Sequence, residues 1–184
     1  MKTLKSISIL LALLVSFTTL SMAEDSKKEI NRDADKTLSK FYKEVNGSKR
    51  YLERAKGYVV FTDVKEAGFF IGGRYGEGVL RVGGVSKAYY SITSASIGMQ
   101  MGLQQYSLII AFTTDAALNK FITDDDWDTE IDVNVAIAEW NAEEEADDID
   151  FGSGAIGFML DSKGMMGNFS LEGTNFDRIT PDDD

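Results

Sequence analysis

Charged side chains carry most of the chemistry open to this chain, because its 184 residues include no His and no Cys. Without imidazole or thiol, Ser-His-Asp and Cys-His nucleophilic catalysis are excluded, as are the usual zinc and copper ligand sets. A disulfide framework is excluded with them. Asp124, Asp125, Asp126, Asp128, Glu130 and Asp132 crowd together and offer hard oxygen ligands of the kind calcium takes. Counted from Asp124, however, the sixth place of an EF-hand loop holds Thr129 instead of Gly and the twelfth Val135 instead of Glu. The plainer reading is a solvated acidic loop. Paired carboxylates could also serve a glycosidase, but these acids sit in polar runs, away from the apolar surroundings that raise a catalytic pKa. No catalytic residue and no cofactor is assigned, and the chain is read as non-enzymatic.

Two glycine-rich stretches imitate nucleotide motifs. Gly152, Gly154 and Gly157 spell GxGxxG, yet the dinucleotide fingerprint needs a strand before it and a helix after it. Here an acidic run from Glu143 to Asp150 precedes it and a strand-like segment follows. The stretch from Gly72 to Gly78 has no following GK(S/T), which excludes a phosphate-binding P-loop.

The amines make a more specific pattern. Lys28, Arg32, Lys36, Lys40 and Lys43 recur at helical spacing, roughly opposite an apolar stripe of Ile30, Ala34, Leu38, Phe41 and Val45. An amphipathic basic helix of this kind suits an anionic membrane surface. It equally suits a plain surface helix packed on a sheet, and the two readings compete for the same apolar face.

The elements that must position these residues follow from texture. Gly47 stops the first helix, and Ser48 caps a short second one that uses Tyr51, Leu52 and Ala55 and ends at Gly57. From Tyr58 the chain turns β-branched, aromatic and glycine-punctuated. Strands are expected at Tyr58–Phe61, Phe69–Ile71, Val79–Val82, Ala88–Thr93, Tyr106–Phe112 and Ile131–Ile137, with a short helix from Thr114 to Phe121. A final hairpin is expected from Ala155–Leu160 and Met166–Leu171. The fold class is α+β: N-terminal helices packed on a strongly coiled, mostly antiparallel, barrel-like sheet, whose internal glycines favour bulges.

Hydrophobic residues make up 43% and charged residues 27%, an ordinary globular balance. The formal net charge of -11 repels nucleic acid phosphates, so nucleic acid is not an expected partner. That charge is polarised along the chain: residues 24–56 are net +3 and residues 116–184 net -16. Residues 1–23 read as a signal peptide, with Lys2 and Lys5 ahead of the apolar run Ile9–Val15 and a small-x-small site at Ser21–Ala23. No Cys follows that site, so lipid attachment there is impossible. The expected mature protein, residues 24–184, is one domain, bacterial and periplasmic or secreted.

With these elements in place, a longer match becomes visible. Gly57–Phe61, Lys65–Phe69, Ile71–Gly78, Tyr89 and Tyr90, Ser94–Gly102 and Ser107–Ile110 together resemble the SYLF lipid-binding domain. Thr114–Phe121, Trp127 and Lys163–Gly173 continue the resemblance, which covers roughly residues 55–179. It implies a non-enzymatic domain that binds phospholipid, with phosphoinositide ligands in eukaryotic members and actin binding in yeast relatives. An exported bacterial protein meets neither actin nor much phosphoinositide, so general lipid binding is what carries over. The resemblance places membrane contact in the N-terminal helical part, making Lys27, Lys28, Arg32, Lys36 and Lys40 expected contacts and Lys65 and Arg74 weaker ones. Phe69, Phe70, Met99 and Met101 are expected to line an apolar cleft or pack in the core. The alternative is an envelope interaction module whose acidic C-terminal half binds cationic partners or calcium.

Overall fold

The computed structural model describes residues 25–68, 71–97, 102–123, 127–128, 135–138, 154–160, 171 and 173–183. Helix α1 runs Lys27–Glu44, α2 Ser48–Arg54 and α3 Asp115–Thr123. The strands are β1 Gly57–Gly68, β2 Ile71–Val82, β3 Val85–Ile97, β4 Gly102–Phe112, β5 Trp127–Asp128, β6 Val135–Ala138, β7 Ala155–Leu160 and β8 Thr174–Ile179.

Helix α1 starts on an N-cap serine. The Ser26 hydroxyl accepts a hydrogen bond from the Glu29 backbone N–H, and Glu29 also puts an acid in the first turn. At its far end Val45 closes back on Phe41, and Gly47 enters the left-handed region at φ 77°. Gly47, not Ser48, is therefore the N-cap of α2. Ser48 is the first helical residue, buried, and its hydroxyl donates to the Phe41 carbonyl. That bond ties the two helices together at the corner. The end of α2 also differs from expectation, since Ala55 caps it and Gly57 already begins β1.

All the paired strands form one sheet in the order β5-β8-β3-β2-β1-β4-β7-β6. Every neighbouring pair is antiparallel except β6 and β7, which run parallel. Among the described residues the sheet is not closed: β5 and β6 stand at opposite ends of the strand order and do not pair with each other, so a barrel is not formed by these strands. Central strands are also longer than their apolar runs suggested. β1 continues past Phe61 through a register shift before Lys65, and β2 runs unbroken through four glycines. Two of those glycines serve close approach, not bulging. A Cβ on Gly78 would lie 2.5 Å from the Val60 carbonyl oxygen, and one on Gly76 3.0 Å from the Val64 Cα. The turn between β2 and β3 is the pair Gly83 and Gly84, both at positive φ, which suits a two-residue hairpin.

The two faces of the sheet hold separate cores. On one, Val59, Phe61, Leu80, Tyr90, Leu108 and Phe176 pack beneath Ala117, Leu118 and Phe121 of α3. The ring of Phe121 lies 4.5 Å from Tyr90 and 4.8 Å from Phe112. On the other, Ile30, Ala34, Leu38 and Phe41 of α1 meet Tyr58, Val60, Val79, Ile109 and Phe158. Phe158 is sandwiched by Phe41 at 5.0 Å and Tyr51 at 5.4 Å. The second strand of the expected final hairpin was Met166–Leu171, of which residues 166–170 lie outside the described residues; a further strand, β8, was not expected and pairs with β3.

Candidate functional site

The layer formed by α1 and α2 holds most of the residues singled out in the sequence. Its apolar stripe is fully committed: Ile30, Ala34, Leu38, Phe41 and Val45 are all buried against the sheet. Burying one such large side chain contributes about 1.5–3 kcal/mol, so presenting the stripe to a bilayer would mean stripping the helix from its core. What α1 offers outward is its charged side.

That side mixes signs. Lys28 is exposed and makes no ion pair among the described residues. Arg32 lies 3.2 Å from Asp33, Lys36 2.7 Å from the same carboxylate, and Lys40 3.9 Å from Glu44. The hydrogen bond from Arg32, followed by that from Lys36, holds the Asp33 carboxyl below its ordinary range. Lys27 is different, since its ammonium reaches Asp183 at 2.6 Å and its backbone N–H donates to the Asp182 carbonyl. The hydrogen bond with Asp183 is the main cause raising the Lys27 pKa. The acidic tail thus rests on the first residue of the basic helix. Exposed pairs of this kind are worth about 0–1 kcal/mol, no more than the roughly 1 kcal/mol each base gains beside an anionic bilayer. Intrahelical pairing therefore does not bar these residues from a surface contact.

Lys65 belongs near the same helix end. It is exposed, sits 3.1 Å from Asp63, and its charge lowers the pKa of Asp25, which burial followed by Glu29 and Asp33 raises overall. Arg74 is placed elsewhere. Its side chain is 7% exposed, lies 3.2 Å from Glu66, donates to the Thr174 hydroxyl at 3.0 Å and stands 6.0 Å from the Tyr106 ring centre. It works inside the core face opposite α1, as part of a buried ion pair, and is not available to an external surface. Burial raises the Tyr106 pKa well above the usual phenol value, so that phenol stays neutral. Phe69, Phe70, Met99 and Met101 lie outside the described residues.

Three contacts were not foreseeable from spacing. Arg81, buried in β2, reaches Asp35 of α1 at 2.7 Å. Asn31 donates to the Tyr89 hydroxyl and accepts from Ser86, both in β3. Between the helix corner and the hairpin turn lies an open groove of about 420 Å³, lined by Tyr42, Leu52, Glu53, Tyr58, Gly83 and Gly84 among others. Burial, then the neighbouring Tyr58, pushes the Tyr42 phenol up to about 12. The partners of each contact are too far apart in sequence for any periodic signal, and only the fold brings them together.

Other readings fare as follows. Gly154 does lead into a strand, β7, so the GxGxxG stretch lacks its helix. Among the described residues no group of three carboxylates is placed to hold a metal ion. Asp124, Asp125, Asp126, Glu130, Asp132 and the run Glu143–Asp150 lie outside the described residues. Among the described residues no helix is long and apolar enough to cross a membrane.

Residues 93–182 match the family model described as Ysc84, Las17-binding protein actin regulator. No curated protein matches the chain.

Proposed function

Because residues 93–182 match the Ysc84 family model and the wider chain resembles the SYLF domain, we propose that this protein is a non-enzymatic, peripheral phospholipid-binding protein of the bacterial envelope. In this reading it acts after export and removal of residues 1–23. Contact is electrostatic and made by the outward bases of α1: Lys28, Arg32, Lys36 and Lys40. The observation that carries this reading is that the apolar stripe of the helix is buried while its basic ridge faces out. Such a helix can lie on a charged surface but has no free apolar face to insert. The buried Arg74 is left out of the contact, and Lys27 joins it only when Asp183 lets go.

Co-sedimentation with phospholipid vesicles tests this. The chain should pellet with anionic vesicles at low salt, less so at moderate salt, and hardly at all with neutral ones. Changing Lys28, Arg32, Lys36 and Lys40 together to Glu should weaken anionic binding at least about a hundredfold. The same four positions changed to Gln, which adds no repulsion within the helix, should weaken it less but in the same direction. Binding indifferent to salt and to both variants would overturn the helix surface in favour of an apolar cleft. No binding to any vesicle would overturn the lipid reading and favour an envelope interaction module.

A further inference from the structure

The last residues of the chain meet the first turn of α1. Strand β8 is held against β3 as far as Ile179, opposite Tyr89, whose hydroxyl accepts from Asn31 of α1. Two residues further on, Pro181 is buried and fixes the point where the chain leaves the sheet. The Asp182 carbonyl then accepts the Lys27 backbone N–H, which the helix itself cannot satisfy, and the Asp183 carboxylate lies 2.6 Å from the Lys27 ammonium. Acids at this end of a helix are favoured by its dipole as well. The tail is thus seated on the first base of α1 by a backbone bond and an ion pair, behind a buried anchor.

This contact differs in kind from the other ion pairs of the helix. Arg32 and Lys36 share Asp33, which belongs to α1 itself, so that carboxylate travels with its bases to any surface. Asp183 comes from 156 residues away, its side chain is 86% exposed, and only Asp184 follows it. It can let go without disturbing the helix or β8, because Pro181 and the pairing with β3 lie ahead of it in the chain. While it stays, Lys27 is neutralised. Charges act over about 10 Å at 0.1 M salt, so the tail acids also weaken the positive potential at Lys28, the neighbouring residue and the first exposed base of the outward ridge.

We propose that Asp182 and Asp183 form an autoinhibitory latch that sets how anionic a phospholipid surface must be before α1 docks on it. A weakly charged surface leaves Lys27 with Asp183. A densely charged one competes for the Lys27 ammonium, repels the two carboxylates and gains Lys27 as a further contact. This rests on the lipid-binding reading above and adds to it a threshold in surface charge, set by residues at the opposite end of the chain from the helix.

The test is co-sedimentation with phosphatidylcholine vesicles that carry a rising fraction of phosphatidylglycerol. Asp182→Asn combined with Asp183→Asn keeps the backbone bond to Lys27 and so the fold. It should move half-binding to a lower phosphatidylglycerol fraction and tighten binding about fivefold at a fixed intermediate fraction, the effect of one base released to an anionic bilayer. Glu53→Gln combined with Asp115→Asn changes the net charge by the same amount at exposed positions on α2 and α3, and should tighten binding less than about twofold. In a chain carrying Lys27→Gln, the two Asn changes should lose most of their effect, because no ammonium is left to release. An Asn pair without effect, an equal gain from the Glu53 and Asp115 changes, or a gain undiminished by Lys27→Gln would each overturn the latch while leaving lipid binding intact. Failure of every variant to bind any anionic vesicle would overturn the lipid reading itself, and the latch with it.

Discussion

Arg74 shows how a residue's type can mislead about its task. As a base in a glycine-rich stretch it suggests an outward contact, but its neighbours across the sheet are Glu66 and Thr174, and it lies buried with them. A buried pair is costly to break and cheap to replace. Arg74→Met alone should lower the unfolding free energy by about 3 kcal/mol, because it strands the Glu66 charge, while Arg74→Met with Glu66→Leu should recover most of that loss. Urea unfolding of the two singles and the double measures it, and additive losses would refute the coupling. The tyrosines yield a pH prediction. The Tyr42 phenol is raised from 10.0 to about 12, and Tyr106 is raised further. A folded-state pKa above the unfolded one gives stability that is intact below about pH 10 and lost as pH rises through the folded value. The urea midpoint should fall steadily from pH 10 to pH 12, and Tyr42→Phe should flatten part of that slope. At this scale the sequence was legible for the stripe of α1, where each apolar residue is buried, and illegible for Arg74, Arg81 and Gly78. Their roles depend on a neighbouring strand or helix that no local spacing announces.

Elements were legible where periodicity is strong. Helix α1 reads directly from its apolar residues, and α3 from Thr114, whose hydroxyl accepts from the Ala117 N–H. The long strands were not, because glycine inside an apolar run looks like an ending. In β2 it instead lets the strand lie against Val60, Phe61 and Val64 of β1. The same packing says what holds α1 in place. Phe41 is completely buried and meets the Phe158 ring, so Phe41→Ala should cost about 4 kcal/mol and loosen the helix before the sheet. Hydrogen exchange would then show α1 amides losing protection while those of β1 and β4 keep theirs. Equal loss in both would mean that helix and sheet unfold as one unit.

For the molecule as a whole, the family match and the sheet do not share a boundary. The match begins at residue 93, inside β3, yet β3 pairs with β2 and β4 pairs with β1, both earlier in the chain. A fragment of residues 93–184 should therefore lack a cooperative thermal transition, whereas the full chain should have one, and calorimetry of both decides it. Strand order was beyond reach of the sequence, since the pairing of β8 with β3 joins residues eighty or more positions apart, from Ser94 with Thr174 to Tyr89 with Ile179. That pairing also orders the assembly of the protein. Residues 57–112 make a four-stranded ribbon, and among the described residues both its margins, β3 and β4, find their outer partners in residues 155–179. A chain emerging from its N-terminus must carry two unsealed margins, rich in unpaired amide and carbonyl groups, until its final stretch arrives. Self-association competes with folding throughout that interval, and whatever escorts the nascent chain has to shield those margins to the end.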